Sequence, residues 1–138
     1  MRLDVLATGS AGNCYALHAG GETLLLDAGI PIRQIVAGVA DWDRVVGCLV
    51  THEHMDHAKA VPDLLRRGVP VCMSRGTQDG LPMMGVETSA LQSTVERSQS
   101  GRPLRMGHFT ILPFAAQHDA LEPQGFLLRH DLSGEKLL

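Results

Sequence analysis

Short apolar runs alternate with glycine-rich turns along this chain, and the pattern predicts a sheet-based fold with a few short helices. Val45–Val50 is a continuous apolar run, which indicates a central strand buried on both faces. A hairpin turn is predicted at residues 131–134, between the last two strands. Strands are predicted over Arg2–Ala7, Cys14–His18, Glu22–Leu26, Val45–Val50, Val69–Met73, Phe109–Phe114, Phe126–Arg129 and Lys136–Leu138.

Helical periodicity is confined to short segments between these strands. Ile32–Val39 carries an apolar stripe at helical spacing and begins just after a proline. Ala58–Arg67 has a second stripe, which a pair of arginines and Gly68 bring to an end. In the polar, glycine-containing stretch from Arg75 to Arg102 we predict only a short helix over Ser89–Arg97. Strands that alternate with helices predict an α/β fold.

Composition limits the classes of protein that fit. The 138 residues are enough for one domain, and 44% hydrophobic with 20% charged residues excludes a disordered tail or a coiled coil. With a net charge of −3, wholesale electrostatic capture of nucleic acid or of an acidic membrane is not expected. A local basic face remains open, built from Arg66, Arg67, Arg75, Arg97, Arg102 and Arg105.

Processing signals are absent from the sequence as given. Three cysteines, with no CxxC pair, do not form a secreted disulfide framework. No signal peptide is visible at the N-terminus, and no apolar stretch reaches the roughly 18 residues that a membrane span needs. We therefore expect a cytoplasmic protein that does not contact a membrane, while the sequence leaves the oligomeric state open.

Three histidines and an aspartate follow the predicted central strand within a few positions, in the sequence THEHMDH. In an extended chain residues i and i+2 point the same way, so His52 and His54 can reach one metal ion together. Asp56 and His57 lie slightly further on, where they can face a second position. Imidazole and carboxylate are ligands that Zn²⁺, Fe and Mn²⁺ accept when water must also bind.

Chance is a poor explanation for this cluster. A random HxHxDH would occur in about one such sequence in a thousand. Titratable groups beside a buried strand also need a reason to be there, because burying them unpaired costs about 2–7 kcal/mol each. We therefore predict a metal site rather than a surface turn that happens to be rich in histidine.

The HxHxDH pattern after an apolar strand resembles the metallo-β-lactamase superfamily. Residues 24–29, LLLDAG, look like the strand-end aspartate of that superfamily, and residues 115–120, AAQHDA, look like its next single-histidine motif. The opening TGSAGNCY at residues 8–15 is similar to one bacterial branch, the exonucleases of the YycJ/WalJ kind.

The resemblance implies a role for each matching residue. It implies that His52, His54 and His118 bind a first metal, and that Asp56 and His57 contribute to a second. It also implies that Asp27 holds the histidine loop by hydrogen bonds without touching metal. Asp56 is further implied as the catalytic residue that orients a metal-activated water or takes its proton, although a purely ligating role remains open.

The resemblance also bears on the extent of the fold, an αββα sandwich in this superfamily. A bridging aspartate and a last histidine would fall beyond Leu138. We therefore expect residues 1–138 to be a single metallo-β-lactamase-like domain truncated at its C-terminus, with the N-terminal half and the first strands of the second sheet. One tightly bound ion, Zn²⁺ or else Mn²⁺ or Fe²⁺, is then expected here, and two in a complete homologue.

The function that the resemblance implies is metal-dependent hydrolysis, with a phosphodiester, DNA above all, as the substrate. A thioester or lactone hydrolase of the glyoxalase type is an alternative that shares the same metal loop. A catalytically inactive metal-binding remnant with an interaction role is another. The assignment as a hydrolase requires His118 to share one coordination sphere with His52 and His54, and all three readings require His52 to contribute to metal binding or folding.

Overall fold

The computed structural model describes residues 1–87 and 95–137, in which two β-sheets pack face to face and short helices cover one sheet. The strands are β1 (Arg2–Ala7), β2 (Cys14–Ala19), β3 (Glu22–Leu26), β4 (Val45–Leu49), β5 (Val71–Ser74), β6 (Val95–Ser98), β7 (Leu104–Met106), β8 (Phe109–Ala115), β9 (Gln124–His130) and β10 (Lys136–Leu137). The helices are α1 (Ile32–Gly38), α2 (Met55–Ala58), α3 (Val61–Arg66) and α4 (Arg75–Gly80), with 3₁₀ turns at Trp42–Arg44 and Pro82–Met84.

The first sheet is mixed, and its order follows the chain from β1 to β6. Strands β1 to β3 form an antiparallel meander, whereas β3 to β6 run parallel to one another. The second sheet is antiparallel, in the order β10-β9-β8-β7. Because β3, β4 and β5 are parallel, the loops that follow them emerge at the same edge of the sheet.

Successive side chains along the strands of the first sheet point to opposite faces, so the core has two layers. Ala16 and Leu25 pack with the helices, whereas their neighbours Leu17 and Leu24 pack against the second sheet. Phe109, from the second sheet, is fully buried in this inter-sheet layer. The second sheet therefore lies against the face of the first sheet that the helices leave uncovered.

The strand predictions are confirmed over the described residues, with end shifts of one or two residues for most of them, and Arg2–Ala7 and Glu22–Leu26 agree at both ends. Leu138, the last residue of the predicted strand Lys136–Leu138, lies outside the described residues, and β7 was not predicted. The helix predicted over Ala58–Arg67 is confirmed for α3 (Val61–Arg66), but its predicted start is wrong, because a separate short helix, α2, ends at Ala58. The carbonyl of Asp56 accepts the N–H of Asn13 at 2.8 Å, and Ala60 donates its N–H to Ala28 at 2.8 Å. The helical ladder is interrupted there because both groups bond to neighbouring loops, and Pro62 lies in the first turn of α3.

The helix predicted over Ser89–Arg97 is wrong where the structure tests it. Residues 88–94 lie outside the described part of the chain, and Val95–Ser98 forms β6, which pairs in parallel with β5. Helix α4 was not predicted, since RGTQDG has two glycines and little apolar periodicity. It begins where the Ser74 hydroxyl accepts the N–H of Thr77 at 3.1 Å. No helix in the described residues is long and apolar enough to cross a bilayer.

Candidate metal centre

The candidate ligands lie at the edge where the parallel strands of the first sheet end. Asp27 follows β3, and the segment from Thr51 to His57 follows β4 and continues into α2. The loop after β8, residues 116–123, carries His118 to the same edge. Loops at the carboxyl ends of parallel strands are where open α/β sheets bind their ligands.

His52, His54 and His118 come together at this edge. Their candidate ligand nitrogens all lie within 4.8 Å of one another. The ring of His52 is 4.8 Å from that of His54 and 4.0 Å from that of His118, measured between centroids. Among the described residues, this is the one group of three or more His, Cys, Asp or Glu side chains close enough to share an ion. The structure therefore meets the geometric condition that the sequence analysis set for His118.

A chain of hydrogen bonds sets the tautomer of His52. The Thr51 hydroxyl donates to the Asp27 carboxylate at 3.1 Å, so it must accept from Nδ1–H of His52, which lies 2.8 Å away. The lone pair of His52 is then on Nε2, which is buried and has no hydrogen-bond partner among the described residues. A buried nitrogen with a free lone pair beside two further imidazoles fits the three-histidine donor set of a zinc site.

Asp27 also orients His57. Its Oδ2 lies 2.7 Å from Nδ1 of His57, and Nε2 of that ring lies 3.3 Å from the amide nitrogen of Asn13. The amide can only donate, so Nε2 of His57 accepts and Nδ1–H donates to Asp27. The backbone N–H of Thr51 donates to Oδ1 of Asp27 at 2.8 Å. Asp27 thus contacts the histidine loop through His57 and Thr51.

The backbone of Asp27 has a positive φ of 60°, which non-glycine residues adopt only where the surroundings enforce it. Its N–H donates to the Leu49 carbonyl at 2.7 Å, which fixes the turn after β3. With an exposure of 4%, the carboxylate is shielded from water. Asp27 is therefore held in a strained conformation that directs its carboxylate into the histidine loop.

The pKa values of His52 and His57 shift in opposite directions. Burial, together with the neighbouring rings of His57 and His118, lowers the pKa of His52 to about 4. Burial also lowers the pKa of His57, but the hydrogen bond and the negative charge of Asp27 outweigh it and raise that pKa. His52 therefore stays neutral at physiological pH, with its lone pair available to a metal ion.

Asp56 and His57 face each other beside the three histidines. Oδ2 of Asp56 lies 3.6 Å from Nε2 of His57 and 3.5 Å from the amide nitrogen of Asn13. The Asp56 side chain is 33% exposed, so water can reach it. No third ligating side chain in the described residues completes a set with these two. The pair can contribute to a second position but does not by itself form a site for an ion.

Three loops pack backbone to backbone beneath the candidate ligands. A Cβ on Gly29 would lie 1.8 Å from the carbonyl oxygen of Asp56, and a Cβ on Gly12 would lie 2.4 Å from that of Gly29. Gly12 of the TGSAGN motif and Gly29 of the DAG motif are therefore required for close approach. The N–H groups of Gly9 and Gly12 are bonded within their own loop, to Asn13 Oδ1 and to the Gly9 carbonyl.

Sequence reasoning missed several residues that shape the site. Asn13 joins the loop at residues 8–13 to Asp56 and His57, and Thr51 connects Asp27 to His52. Glu53 is buried next to these histidines. Their contacts span up to 68 positions, so no local pattern could reveal them. One signal was present for Glu53. It is an acidic residue between two candidate ligands, shortly after a buried strand, and acidic residues are seldom buried unless they are paired.

The remaining histidines and cysteines lie elsewhere. His18 contacts Asp4 and Thr23, and both His108 and His130 contact Glu22. Cys14, Cys48 and Cys72 are buried, and burial raises the pKa of Cys14 and of Cys72 to about 12. These thiols stay protonated at neutral pH and are poor ligands in that form.

The arginines of the latter half are partly engaged. Arg66 and Arg105 form ion pairs at 3.0 Å with Asp63 and Asp131, and Arg75 approaches Asp79 at 3.8 Å. Arg97 and Arg102 bond to the side-chain oxygens of glutamines. The exposed members of this set retain hydrogen-bond donors that can face a phosphate.

Comparison with known proteins agrees with this geometry. Residues 7–128 match the family model described as the metallo-beta-lactamase superfamily. The chain is 30% identical over 140 aligned residues to the exodeoxyribonuclease WalJ of Streptococcus pneumoniae, covering 94% of this chain and 50% of that protein. It is 28% identical to the exodeoxyribonuclease YycJ of Bacillus anthracis, covering 95% of this chain and 51% of that protein. The chain thus spans about half the length of these relatives.

The fold also matches solved structures. A B3 metallo-β-lactamase with an active-site glutamic acid superimposes with a TM-score of 0.73 at 20% identity, covering 97% of this chain and 56% of that one. At this identity the likeness concerns the fold alone. The α/β fold with two packed sheets that the sequence analysis expected is thereby confirmed.

Proposed function

The chain belongs to the metallo-β-lactamase superfamily, and from this premise we propose that it provides the metal-binding residues of a phosphodiesterase that hydrolyses DNA. The superfamily consists of metal-dependent proteins, and exodeoxyribonucleases are among the relatives that align with nearly all of this chain. The substrate and the reaction are part of the proposal. We also propose that the protein acts in the cytoplasm, where DNA is available.

One observation carries the proposal. Three imidazoles from two loops, more than sixty positions apart in the chain, have their ligand nitrogens within 4.8 Å of one another, and the buried Nε2 of His52 lacks a partner among the described residues. A buried polar atom without a partner is costly, so the arrangement calls for a group to fill it. Three neutral histidines and an open position are the donor set of a catalytic zinc ion.

We assign the residues as follows. His52, His54 and His118 hold one ion tightly, with zinc as the proposed metal and manganese or iron as alternatives. Asp56 and His57 contribute to a second position for which the described residues offer no third ligand, so one tight ion per chain is expected. Asp27 fixes the neutral tautomer of His57 and, through Thr51, that of His52, so that the lone pair of each neutral ring lies on Nε2.

When bound, a divalent cation of this kind would polarise a phosphoryl oxygen and lower the pKa of a bound water to about 7. The chain then needs a group that orients the attacking water or takes its proton. The Asp56 carboxylate suits both tasks, because it is partly exposed and lies 3.6 Å from Nε2 of His57. Exposed arginines such as Arg97 and Arg102 supply donors for the phosphates of a bound strand.

The first test measures zinc affinity by titration against a chelator, in the unsubstituted chain of residues 1–138 and in single variants of it. We expect His52→Ala and His118→Ala each to weaken zinc binding strongly, because each removes one of three ligands. His18→Ala is the matched control, since His18 contacts Asp4 and Thr23 and lies outside the group of three. Unchanged zinc content in His52→Ala would refute the assignment, and two zinc ions of comparable affinity would refute the one-ion expectation.

The second test compares substrates with the zinc-loaded intact protein. Turnover of bis-p-nitrophenyl phosphate and of duplex DNA, lost in Asp56→Asn with zinc still bound, is the expected result. Turnover of a glutathione thioester alone would favour a hydrolase of the glyoxalase type. Zinc binding without turnover of any of the three would favour a non-catalytic metal-binding protein.

A further inference from the structure

A buried carboxylate, Glu53, lies between two of the candidate ligands. Glu53 is 1% exposed, and the described residues offer its carboxylate no ion-pair partner. Oε1 has no hydrogen-bond partner among the described residues either. Burying a carboxylate without a cation is unfavourable, so its presence needs an explanation beyond packing.

The other oxygen of Glu53 shows where the side chain acts. Oε2 accepts the backbone N–H of Leu121 at 3.0 Å, across a separation of 68 residues. Leu121 belongs to the loop at residues 116–123, the His118 loop. Helix α4 leaves room for this contact, because a Cβ on Gly80 would lie only 2.7 Å from Oε2. Glu53 therefore links the segment that carries His52 and His54 to the loop that carries His118.

The His118 loop has little apolar packing to hold it in place. His118 and Asp119 are exposed, and Leu121 is 57% exposed. At its far end the Glu122 carboxylate accepts the N–H of Gly76 at 2.8 Å, and the Glu122 carbonyl accepts the Ser74 hydroxyl at 2.7 Å. Hydrogen bonds thus determine where this loop lies.

We propose that Glu53 is a positioning residue that sets the His118 ring against the rings of His52 and His54. The inference rests on the proposed metal role of His118. The two candidate ligands flank Glu53 in the sequence HEH, and the Glu53 carboxylate itself lies against α4 and the His118 loop. The buried carboxylate is then retained for the geometry of the metal site rather than for the stability of the fold.

Two substitutions of Glu53 in the intact protein test this role. Glu53→Gln removes the charge and keeps an oxygen that accepts the Leu121 N–H. Glu53→Met is unbranched and of similar length but has only a weak sulfur acceptor. We expect Glu53→Met to weaken zinc binding about 10–100-fold, as for other residues that orient ligands, and Glu53→Gln to stay close to the unsubstituted protein.

Readouts other than activity separate positioning from folding. We expect the cobalt-substituted Glu53→Met variant to show an altered visible absorption spectrum, because the coordination geometry changes. The melting temperature of its metal-free form is expected to be unchanged or raised, because a buried carboxylate has been removed. Equal losses of zinc affinity in both variants, or an unaltered cobalt spectrum in Glu53→Met, would overturn the proposal.

A double-mutant cycle with His118→Ala identifies the route of the effect. If Glu53 acts through His118, Glu53→Met changes zinc affinity far less in the His118→Ala background than in the unsubstituted protein. Additive losses would overturn the inference. Failure of the proposed function looks different, because His118→Ala alone would then leave zinc affinity unchanged.

Discussion

The two loops that bring the candidate ligands together are held in different ways. The segment from His52 to His57 is fixed by main-chain bonds to neighbouring loops, with Asn13 N–H donating to Asp56 and Ala28 N–H to His57, both at 2.8 Å. Glycine backbones lie directly against it, and most of its polar groups are at least partly buried. This segment is preorganised by close backbone packing.

The His118 loop is held mainly by side chains from elsewhere in the chain. The His118 ring is exposed. A main-chain bond from Ala116 N–H to the Pro123 carbonyl closes the loop, and Glu53, Ser74 and the main chain of α4 hold it against the rest of the chain. One half of the candidate site is therefore part of the folded core, whereas the other half depends on a few hydrogen bonds that single substitutions can remove. Substitutions that disturb the main-chain packing of the first loop should then affect folding and metal binding together. Substitutions that remove a hydrogen bond to the His118 loop should affect metal binding alone.

The largest expected effect is that of Gly29→Ala. The new Cβ would lie 1.8 Å from the Asp56 carbonyl oxygen, so the backbones of two loops must separate. We expect a loss of about 3 kcal/mol or more in the free energy of unfolding, measured by urea denaturation of the metal-free protein.

Gly85→Ala is the matched control for that substitution. Gly85 has a φ of 79° with no atom within 4 Å of a new Cβ, so only backbone strain is added. We expect a loss of about 1–2 kcal/mol there. Equal losses at Gly29 and Gly85 would show that the close packing beneath the site is less important than the geometry indicates.

The next effect compares ligands from the two loops. We expect His52→Ala to lower zinc affinity more than His118→Ala does. The loss in His52→Ala should also exceed the roughly 10–100-fold loss that follows removal of a residue that only hydrogen-bonds to a ligand. His52 is buried with its Nε2 already directed by Thr51, whereas the His118 ring is exposed and less constrained. Chelator competition measures both, and a larger loss in His118→Ala would reverse the comparison.

Asp27→Asn addresses the network behind the first loop. The Asp27 carboxylate accepts hydrogen bonds from Thr51 and His57 with its two oxygens. An asparagine side chain has one accepting oxygen, and its N–H₂ group can only donate, so one of these bonds is lost. We expect zinc affinity to fall about 10–100-fold, with little loss of stability, because Asn tolerates the positive φ of this position. Unchanged zinc affinity would mean that the tautomers of His52 and His57 do not depend on Asp27.

The smallest expected change in zinc affinity comes from a substitution at Glu22, which lies away from both loops and serves as a reference. Glu22 bridges the two sheets through His108 and His130, at 3.0 and 3.1 Å. We expect Glu22→Gln to lower stability at neutral pH by about 1 kcal/mol without changing zinc affinity. A change in zinc affinity here would show that inter-sheet contacts reach the site.

The same bridge has a defined pH dependence. Burial raises the pKa of Glu22, but the hydrogen bonds from His108 and His130 outweigh it and lower that pKa below its ordinary value of 4.5. A lowered folded-state pKa gives stability that is present above pH 4.5 and is lost as the pH falls through the lowered value. The difference in stability between Glu22→Gln and the unsubstituted protein should therefore shrink below pH 4.5, as measured by urea denaturation across pH.

Local patterns were sufficient for most of the sheet but not for the helices around the site. The runs Arg2–Ala7 and Glu22–Leu26 contain their own strand signal, and the structure has the same bounds. The break between α2 and α3 depends on Asn13 and Ala28, which are far from it in the chain. Strand β6 likewise forms through pairing with β5, and its own sequence was misread as helical.

The sequence by itself determined most of the strands, though not β6 or β7, and the spacing of the cluster from His52 to His57, because these features depend on residues a few positions apart. It suggested His118 through a motif but could not place that ring beside His52. Only the tertiary structure decided which residues support the ligands: Asp27 through Thr51, Asn13 beside His57, and Glu53 bonded to Leu121. These contacts join residues that are distant in the chain, and such pairs meet only when the sheets pack and parallel strands bring their loops to one edge.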